Sequence, residues 1–580
     1  MIHMIHLIFG ALLAPAQEPH FHELARGSAE VPTAPTMSSA AHAPETVDAS
    51  VPPERALQEL IAQGQKIAIE PVRRTAVSQN GRIKPVDTLA RESVLLLTGS
   101  YERFGLKPVQ LYFALASTPS APWAPVVEVR DAKLRQRLGY LKEKRFFSAA
   151  ELEASPLIEL VQPLMKNQEE SGRLSEEEKK VMETFSQLNL IRQIILGENF
   201  IHAVDFSFLK PHTSGSAEGH GAATEVASQA SDYLQQLRGD ARQANLLAPA
   251  LVETSRRQEA PQIFQHYLGT LDSEIFYNDA RPFLWASLIA LLAGLLLSLD
   301  ITRQKLTAKA VPWLYLVTLL PLVLGISLRV YITQFAPVTN MFTTMLWVSL
   351  GVLIFSAILY YLYRNSLVSG VMLIGTGLIL MLTEQIPLIL SPDLDPLVAV
   401  LRSNFWLSTH VTTITISYAA FTIAMLLGNV ALVRSLMPGD HTQFFHQYAH
   451  YAYRMIQLGC FLLSVGIILG GVWADYSWGR FWGWDPKETW ALIADMGFLT
   501  LLHARITGWV KSFMLLALSP VAYLLVIMAW YGVNFILATG LHSYGFSSGG
   551  ALMVGIFVGL QLLIFALALT KFFMSPRPAI

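Results

Sequence analysis

The chain has 580 residues, 52% of them hydrophobic, and its mean hydropathy of +0.40 is higher than a soluble protein of this length usually has. The formal net charge is −1, so no basic excess exists to neutralise phosphates, and nucleic acid is excluded as the main partner. Only 15 of the 42 lysines and arginines follow residue 280. The second half of the chain is therefore predicted to be the membrane half.

The sequence of the N-terminal half predicts three segments. Residues 1–17 contain a short apolar run that ends in Ala-Pro-Ala and resembles a signal peptide, although no lysine or arginine precedes it. Residues 18–53 are rich in Ala, Pro, Ser, Glu and His, which is typical of a flexible linker. Residues 54–280 predict a mostly helical soluble domain, with a turn at Asn80-Gly81 and a helix that begins at Ser175. This domain has no nucleophile arrangement, so we expect no catalytic chemistry there.

Residues 281–580 predict an all-α polytopic membrane domain. Nine apolar segments are each long enough to cross a hydrocarbon layer of roughly 30 Å as a helix. The predicted spans lie near 283–299, 311–331, 341–361, 367–385, 411–433, 455–473, 489–507, 513–537 and 551–572.

The loop charges predict the orientation of these spans. Lysines and arginines follow the first, third, fifth, seventh and ninth spans, and these alternate loops share one face, which should be cytoplasmic. The cations are Arg303, Lys305, Lys309, Arg364, Arg434, Arg454, Arg505, Lys511, Lys571 and Arg577. This pattern predicts a multi-pass protein of the bacterial inner membrane with a periplasmic N-terminal domain and a cytoplasmic C-terminus.

A tryptophan-rich segment, residues 473–490, joins the sixth and seventh spans and is called the Trp loop below. Tryptophan is common at membrane interfaces, and the Asp-Pro-Lys-Glu sequence at 485–488 is typical of a helix start, so the loop has an interpretation without a ligand. Trp478, Trp482 and Trp484 are interleaved with glycines, however, and this pattern predicts a flat aromatic surface for a planar apolar ligand. Both interpretations stay open at this point.

Three histidines accompany the Trp loop. His410 and His542 lie at helix ends on the same predicted face, where two imidazoles can ligate haem iron from opposite sides. His503 lies within the seventh span, roughly 20 Å from its external end, and either serves a function inside the membrane or lies at the interface. His446 and His450 have metal-ligand spacing in a cytoplasmic loop, but without a third ligand we favour a polar helix face.

The residues 478–490 resemble the tryptophan-rich "WWD" signature of haem-handling proteins. With the surroundings of His410 and His542 and the intramembrane His503, the chain resembles the CcsA type of system II cytochrome c synthase over about residues 310–572. More weakly, residues 81–91 resemble the extracytoplasmic segment that precedes the CcsA part in some bacterial versions.

This resemblance implies a function and a set of site residues. His410 and His542 would ligate haem iron at the Trp loop, and His503 would hold haem within the membrane. Family members export haem b and present it to apocytochrome c, where haem vinyls and the thiols of a CxxCH motif form thioether bonds. We therefore expect a holocytochrome c synthase, or haem lyase. The expected catalytic residues are Trp478, Trp482, Trp484 and Asp485, and the further haem-binding residues are Trp490, Arg480 and Lys487, the last two toward the propionates.

The resemblance also implies partners, because parts of the family pattern are missing here. A CcsB (ResB-like) module normally supplies a second intramembrane histidine, yet spans one to four contain none, so we expect a separate ResB/CcsB-like membrane protein. Relatives often carry a Tyr-Glu-Ser-like sequence where this chain has Pro337 to Thr344. Cys460 is the only cysteine, which excludes an internal disulfide or CxxC pair. Thiols of the apocytochrome would thus be reduced indirectly, by a thioredoxin-like protein.

Three other functions remain possible from the sequence. One is a system I protein of the CcmF or CcmC type, which shares the tryptophan signature but fits nine spans and a large external domain less well. Another is a b-type cytochrome for electron transfer, which needs paired histidines on facing spans. The third is a solute transporter that uses the Trp loop as a lid and contains no haem.

Overall fold

The computed structural model describes residues 51–171, 174–206, 218–258, 260–299, 304–397, 403–537 and 550–574. The predicted signal peptide, nearly all of the predicted linker, and His542 lie outside the described residues. The chain divides into two compact units, Met1–Leu271 and Asp272–Ile580. Each unit is described by itself.

The first unit consists mainly of helices. They are α1 (Pro53–Lys66), α2 (Val86–Thr98), α3 (Pro108–Ser117), α4 (Ala132–Arg137), α5 (Ala149–Ala154), α6 (Leu157–Ser171), α7 (Glu176–Leu196), α8 (Glu198–Val204), α9 (Glu218–Gly239), α10 (Ala241–Arg257) and the start of α11 (Gln262–Ala280). Two short antiparallel pairs accompany them, β1 (Ala76–Gln79) with β2 (Arg82–Pro85) and β3 (Val127–Glu128) with β4 (Phe146–Phe147).

Local sequence explains two features of this unit. Asn80 and Gly81 have φ angles of 53° and 75°, and this left-handed pair lets a two-residue turn join β1 to β2. The hydroxyl oxygen of Ser175 accepts a hydrogen bond from the Glu178 backbone N–H, and the Glu178 carboxylate returns the contact, so a capping box begins α7. Both the predicted turn and the predicted helix start are confirmed.

The second unit continues with the helices of the C-terminal half, nearly all of them long. They are α12 (Pro282–Leu299), α13 (Gln304–Thr333), α14 (Met341–Tyr363), α15 (Ser366–Gln385), α16 (Asn404–Trp406), α17 (Thr412–Ser435), α18 (Thr442–Trp478), α19 (Pro486–Ile506), α20 (Ser512–Ile527) and α21 (Ala551–Met574). Two π-helical segments interrupt this series, π1 (Leu407–Val411) before α17 and π2 (Met528–Leu537) after α20.

Eight helices of the described residues are long and apolar enough to cross a membrane, so the predicted all-α polytopic fold is confirmed. They cover Phe264–Leu299, Lys309–Thr333, Met341–Tyr363, Ser366–Gln385, Leu407–Ser435, Thr442–Trp478, Ser512–Leu537 and Ala551–Met574. The seventh predicted span, near 489–507, is also a helix, α19, but it is not among the eight. Charged residues along α19, Lys487, Glu488, Asp495 and Arg505, make it less apolar than the others.

Close helix packing in the second unit relies on small residues. A Cβ atom added at Gly294 of α12 would lie 2.7 Å from the carbonyl oxygen of Gly370 in α15. A Cβ added at Gly428 of α17 would lie 2.4 Å from the Leu516 carbonyl oxygen in α20. Glycine at these positions therefore lets the helix backbones approach closely, which is the usual basis of helix association in membranes.

Contacts between the loops identify two ends of this helix bundle. At one end, the Asn340 amide donates to the Ser391 carbonyl, the ring of Trp406 stacks on Trp473, and Lys487 contacts Asn534. We call this the Trp-loop end. At the opposite end, Tyr363 contacts His450, His446 contacts Ser512, and Lys571 donates to the Met437 carbonyl.

Candidate functional site

His410 lies in π1, at the start of the helix that becomes α17. The hydrogen bonds of a π-helical segment join residues five apart instead of four, and such segments occur often at functional sites. The hydroxyls of Thr409 and Thr413 donate to backbone carbonyls one turn earlier, at 2.8 and 2.5 Å, within this distorted region. The irregular backbone therefore has additional side-chain hydrogen bonds beside His410.

The imidazole of His410 lies along the surface of α18. Its Nδ1 is 2.8 Å from the carbonyl oxygen of Gly466, and because a carbonyl only accepts, Nδ1 carries the proton. A Cβ added at Gly470, one turn further along α18, would lie 2.5 Å from Cε1 of the imidazole. The ring centroid is 5.8 Å from that of Trp473, the first residue of the Trp loop. The other ring nitrogen, Nε2, would lie 3.1 Å from the same added Cβ, so this edge of the imidazole faces Gly470.

Two aromatic rings next to His410 are parallel. The rings of Trp406 and Trp473 have an interplanar angle of 8° and a centroid separation of 6.4 Å, and Trp473 is buried. Phe405 contacts Trp406 edge-on, with centroids 5.1 Å apart. His410 is thus flanked by an aromatic wall built from α16 and α18.

Hydrogen bonds hold the backbone of the Trp loop mainly at its C-terminal end, next to α19. Gly479, with a φ of 68°, ends α18, and Asp485 caps α19 by accepting the Lys487 backbone N–H at 2.9 Å. The Glu488 carboxylate accepts from the backbone N–H groups of Gly483 and Asp485, at 2.8 and 3.2 Å. The helix-start interpretation of this sequence is therefore correct, and the Asp485 carboxylate, 5% exposed, acts as a cap here.

The loop indoles do not form the flat surface that their spacing predicted. The rings of Trp482 and Trp484 are 5.8 Å apart at an interplanar angle of 86°, an edge-to-face arrangement that aromatic pairs favour. Trp478 instead has the Arg480 guanidinium 6.0 Å from its ring centroid. Trp484 is 71% exposed and has a φ of 56°, which is strained for a bulky residue. Trp490 lies in the first turns of α19 and is half-buried.

Lys487 connects the Trp loop to π2. Its ammonium group is 3.3 Å from Oδ1 of Asn534, and the Asn534 amide donates to the Trp530 carbonyl. Asn534 is buried and lies three residues before π2 ends. The chain then continues toward His542, a predicted iron ligand that lies outside the described residues.

His503 lies far from this group. It is in the last turn of α19, 17 residues after Pro486, which corresponds to about 25 Å along the helix axis. Its Nδ1 is 2.8 Å from the Leu499 carbonyl, so this nitrogen donates within its own helix, and the side chain is exposed. The structure therefore does not bring His503 together with His410; the two lie at opposite ends of the bundle.

Other membrane-domain residues have polar contacts that the sequence did not single out. Asp495, in the middle of α19, is 3% exposed and accepts a hydrogen bond of 2.6 Å from the Ser464 hydroxyl. The rule that identified His503, an ionisable residue within a span, applies equally to Asp495. By contrast, no sequence rule identifies the roles of Gly466 and Gly470, because they depend on the backbone of α18 and on π1.

The histidines at the opposite end are consistent with a polar helix face. His446 contacts the Ser512 hydroxyl and His450 contacts the Tyr363 hydroxyl, so the two have separate partners. Among the described residues, no group of three or more His, Cys, Asp or Glu residues is arranged to hold a metal ion.

The fold and these residues define a multi-pass membrane protein with a histidine and an aromatic wall at one end of its helix bundle. A family model described as "Cytochrome C assembly protein" matches residues 338–542, which lie in the second unit. The cytochrome c biogenesis protein CcsA of Prochlorococcus marinus is 32% identical over 314 residues, covering 49% of this chain and 99% of that protein. The chain belongs to the CcsA family of cytochrome c biogenesis proteins.

Two other relatives match this chain over about half of their own length. Protein NrfI of Wolinella succinogenes is 28% identical over 514 residues, which is 80% of this chain and 53% of NrfI. CcsA of Chlamydomonas reinhardtii is 42% identical over 157 residues, which is 26% of this chain and 44% of that protein. The chain thus spans about half the length of these two relatives.

Proposed function

We propose that this protein presents haem b to apocytochrome c at the Trp-loop end of its helix bundle. The observation that carries the proposal is the orientation of His410. A ligating histidine usually donates its second ring N–H to a carbonyl or carboxylate, which fixes the tautomer and makes the ligating nitrogen more basic. The Gly466 carbonyl is such an acceptor for Nδ1. In this proposal Nε2 would ligate the iron.

In this proposal His542 supplies the second axial ligand, and the tryptophans contact the haem face. Two imidazoles on opposite sides saturate the iron, so that the vinyl groups, rather than the metal, are the reactive part of the cargo. Trp478, Trp482, Trp484 and Trp490 contribute apolar contacts, and their edge-to-face packing would open around a planar ligand. Asp485 acts through the loop, since its carboxylate caps α19.

The propionates would be bound by the cations of the Trp loop. Lys487 donates to the neutral amide of Asn534, and Arg480 lies over the Trp478 ring. A propionate carboxylate forms a stronger, charge-assisted bond than either of these neutral partners, so both cations would exchange contacts when haem binds.

The reaction we propose is thioether formation, a haem lyase activity. Each thiol of the CxxCH motif adds across one haem vinyl: the sulfur bonds to the vinyl carbon next to the ring, and the thiol hydrogen is transferred to the terminal carbon. No external oxidant is required, but both thiols must be reduced. Cys460 of this chain is buried, so reducing equivalents would come from a thioredoxin-like protein that acts on the apocytochrome.

Haem would reach this site through the membrane with the help of His503 and a partner. His503 is exposed at the end of the bundle where Arg364, Arg434, Arg505 and Lys571 also lie, and this positive charge supports a cytoplasmic location in the inner membrane. Residues 54–280 would then form a periplasmic domain, and residues 281–580 the haem-handling domain. A ResB/CcsB-like membrane protein would provide the second axial ligand during transit.

Substitution of the axial ligands tests the proposal. His410→Ala and His542→Ala should each abolish maturation of a CxxCH reporter cytochrome in cells that lack other assembly systems, because each removes an axial ligand. Added imidazole should restore part of the activity by entering the vacant position. His446→Ala, at the opposite end, is the matched control and should mature the reporter normally. Normal maturation by His410→Ala would show that His410 is not a required ligand.

A further inference from the structure

The turn at Pro392 and Asp393, which precedes π1 in the chain, is bound by a buried arginine of α13. Arg329 is 2% exposed, and its guanidinium donates to the Pro392 carbonyl at 2.7 Å and to the Asp393 carbonyl at 2.9 Å. It also donates to the Tyr277 hydroxyl at 2.9 Å. These three acceptors are uncharged, and the Glu384 carboxylate lies close enough to interact electrostatically with the guanidinium. Burying a guanidinium is costly, and these hydrogen bonds offset that cost by binding the turn at Pro392 and Asp393.

A second side chain binds the same turn. Asn340, in the segment from Pro337 to Thr344 that departs from the family pattern, caps α14 by accepting the Thr343 backbone N–H at 2.9 Å. Its amide nitrogen donates to the carbonyls of Ser391 and Asp393, both at 3.2 Å. The Asp393 carbonyl is therefore shared by Arg329 and Asn340. We call these two residues the loop clamp.

Apolar contacts extend from the clamped region to π1. Ala336 and Val338, which lie between Arg329 and Asn340, form a buried cluster with Leu407 of π1. Leu397 and Val411 pack against the same cluster. Leu407 and Val411 are the first and last residues of π1, and His410 lies between them. The segment between the two clamp residues and Leu397, which follows the clamped turn, thus both pack against the backbone that carries His410.

We propose that Arg329 is a positioning residue for His410. It acts together with Asn340, through the turn at 391–393 and this apolar cluster. Loss of the clamp releases the turn at 391–393, and π1 loses part of its support, so that Nε2 of His410 no longer reaches the iron. The proposal rests on the proposed function, because it assumes that His410 ligates haem. It assigns Arg329 no contact with the cargo.

Rescue by imidazole distinguishes positioning from a general folding role. Arg329→Gln, in the full chain with its partner, should reach normal amounts in the membrane but yield at least tenfold less mature reporter cytochrome. Added imidazole should restore part of this loss, as it does for His410→Ala, because free imidazole replaces a misplaced side chain. Arg364→Gln, at the other end of α14, is the matched control and should mature the reporter normally.

A second variant covers the case in which Arg329→Gln does not accumulate. Asn340→Ser keeps a helix-capping oxygen but removes both amide hydrogen bonds to the loop, and it should show a smaller, imidazole-sensitive loss. The positioning role would be overturned if a variant that accumulates in the membrane matured the reporter normally. It would also be overturned if imidazole restored maturation by His410→Ala but not by Arg329→Gln or Asn340→Ser. Failure of the proposed function itself is a different result, since His410→Ala would then mature the reporter normally.

Discussion

At the scale of single residues, the orientation of His410 depends on two glycines of α18. The Gly466 carbonyl accepts from Nδ1, and the missing side chain at Gly470 leaves room for the imidazole. The sequence predicted His410 as a ligand because it and His542 lie at helix ends on the same predicted face as the Trp loop. It could not identify the glycines, because their effect depends on how π1 packs against α18.

Gly470→Ala should displace the His410 imidazole, because the new Cβ would lie 2.5 Å from Cε1. We expect about a 10–100-fold loss of reporter maturation, the usual effect of disturbing a group that orients a metal ligand. Gly555→Ala in α21 is the control, since nothing lies within 4 Å of its added Cβ. Equal maturation by Gly470→Ala and Gly555→Ala would contradict the assigned orientation of the imidazole.

Trp484 has a backbone conformation that favours glycine, with a φ of 56°, and a side chain that is 71% exposed. A left-handed conformation costs an L-residue about 1–2 kcal/mol relative to glycine. Trp484→Gly should therefore be more stable than Trp484→Ala by about 1 kcal/mol, as measured by thermal unfolding of the purified protein.

Both Trp484 variants should lose haem binding, because both remove the indole. A more stable Trp484→Gly that no longer binds haem would show that the strained backbone at residue 484 serves function rather than folding. If Trp484→Ala is the more stable of the two, the backbone at residue 484 is not left-handed in the folded protein.

At the scale of secondary-structure elements, helix caps were predicted well and π-helices were not. Ser175 and Asp485 begin α7 and α19 through capping boxes, because the required residues lie within four positions of one another. The segments π1 and π2 have no comparable signal, since their composition does not differ from that of an α-helix in a membrane. The edge-to-face tryptophans were missed for a similar reason: spacing predicts proximity but not ring orientation.

Asp131 of the first unit provides a test of capping that is independent of haem. Its carboxylate accepts the Leu134 backbone N–H at 2.8 Å and pairs with Lys180 at 2.7 Å. Burial alone would raise the pKa of Asp131, but these hydrogen bonds outweigh it and hold the pKa below its usual range. Because the folded-state pKa is lowered, the stabilisation is present above the unfolded-state pKa and is lost as pH falls through the folded value.

Asp131→Ala should destabilise α4 by about 1 kcal/mol at neutral pH. Hydrogen exchange of the α4 amides in the full-length protein should measure the difference. The difference in α4 stability between the wild type and Asp131→Ala should become smaller as the pH is lowered below about 4. A gap that is constant with pH would exclude the ionised carboxylate as the cap.

At the scale of the whole molecule, hydropathy predicted the helices of the membrane domain because a hydrocarbon layer allows few alternatives to a helix. Of the nine predicted spans, α19 is the one that falls short of an apolar span in the part of the chain that the structure describes, and it carries both the Trp-loop cap and His503. The charges that lower its hydropathy belong to the candidate site or to the helix ends, apart from the buried Asp495. The least apolar helix of the bundle is thus the one that connects the two proposed haem positions.

Haem ligation by His410 at the Trp-loop end is the central claim, and low-temperature EPR of the purified full-length protein with ferric haem tests it most directly. The wild-type protein should give the low-spin signal of iron with two imidazole ligands. His410→Ala should give a high-spin signal that returns to low spin when imidazole is added, and His446→Ala should match the wild type. An unchanged low-spin signal in His410→Ala would contradict the claim.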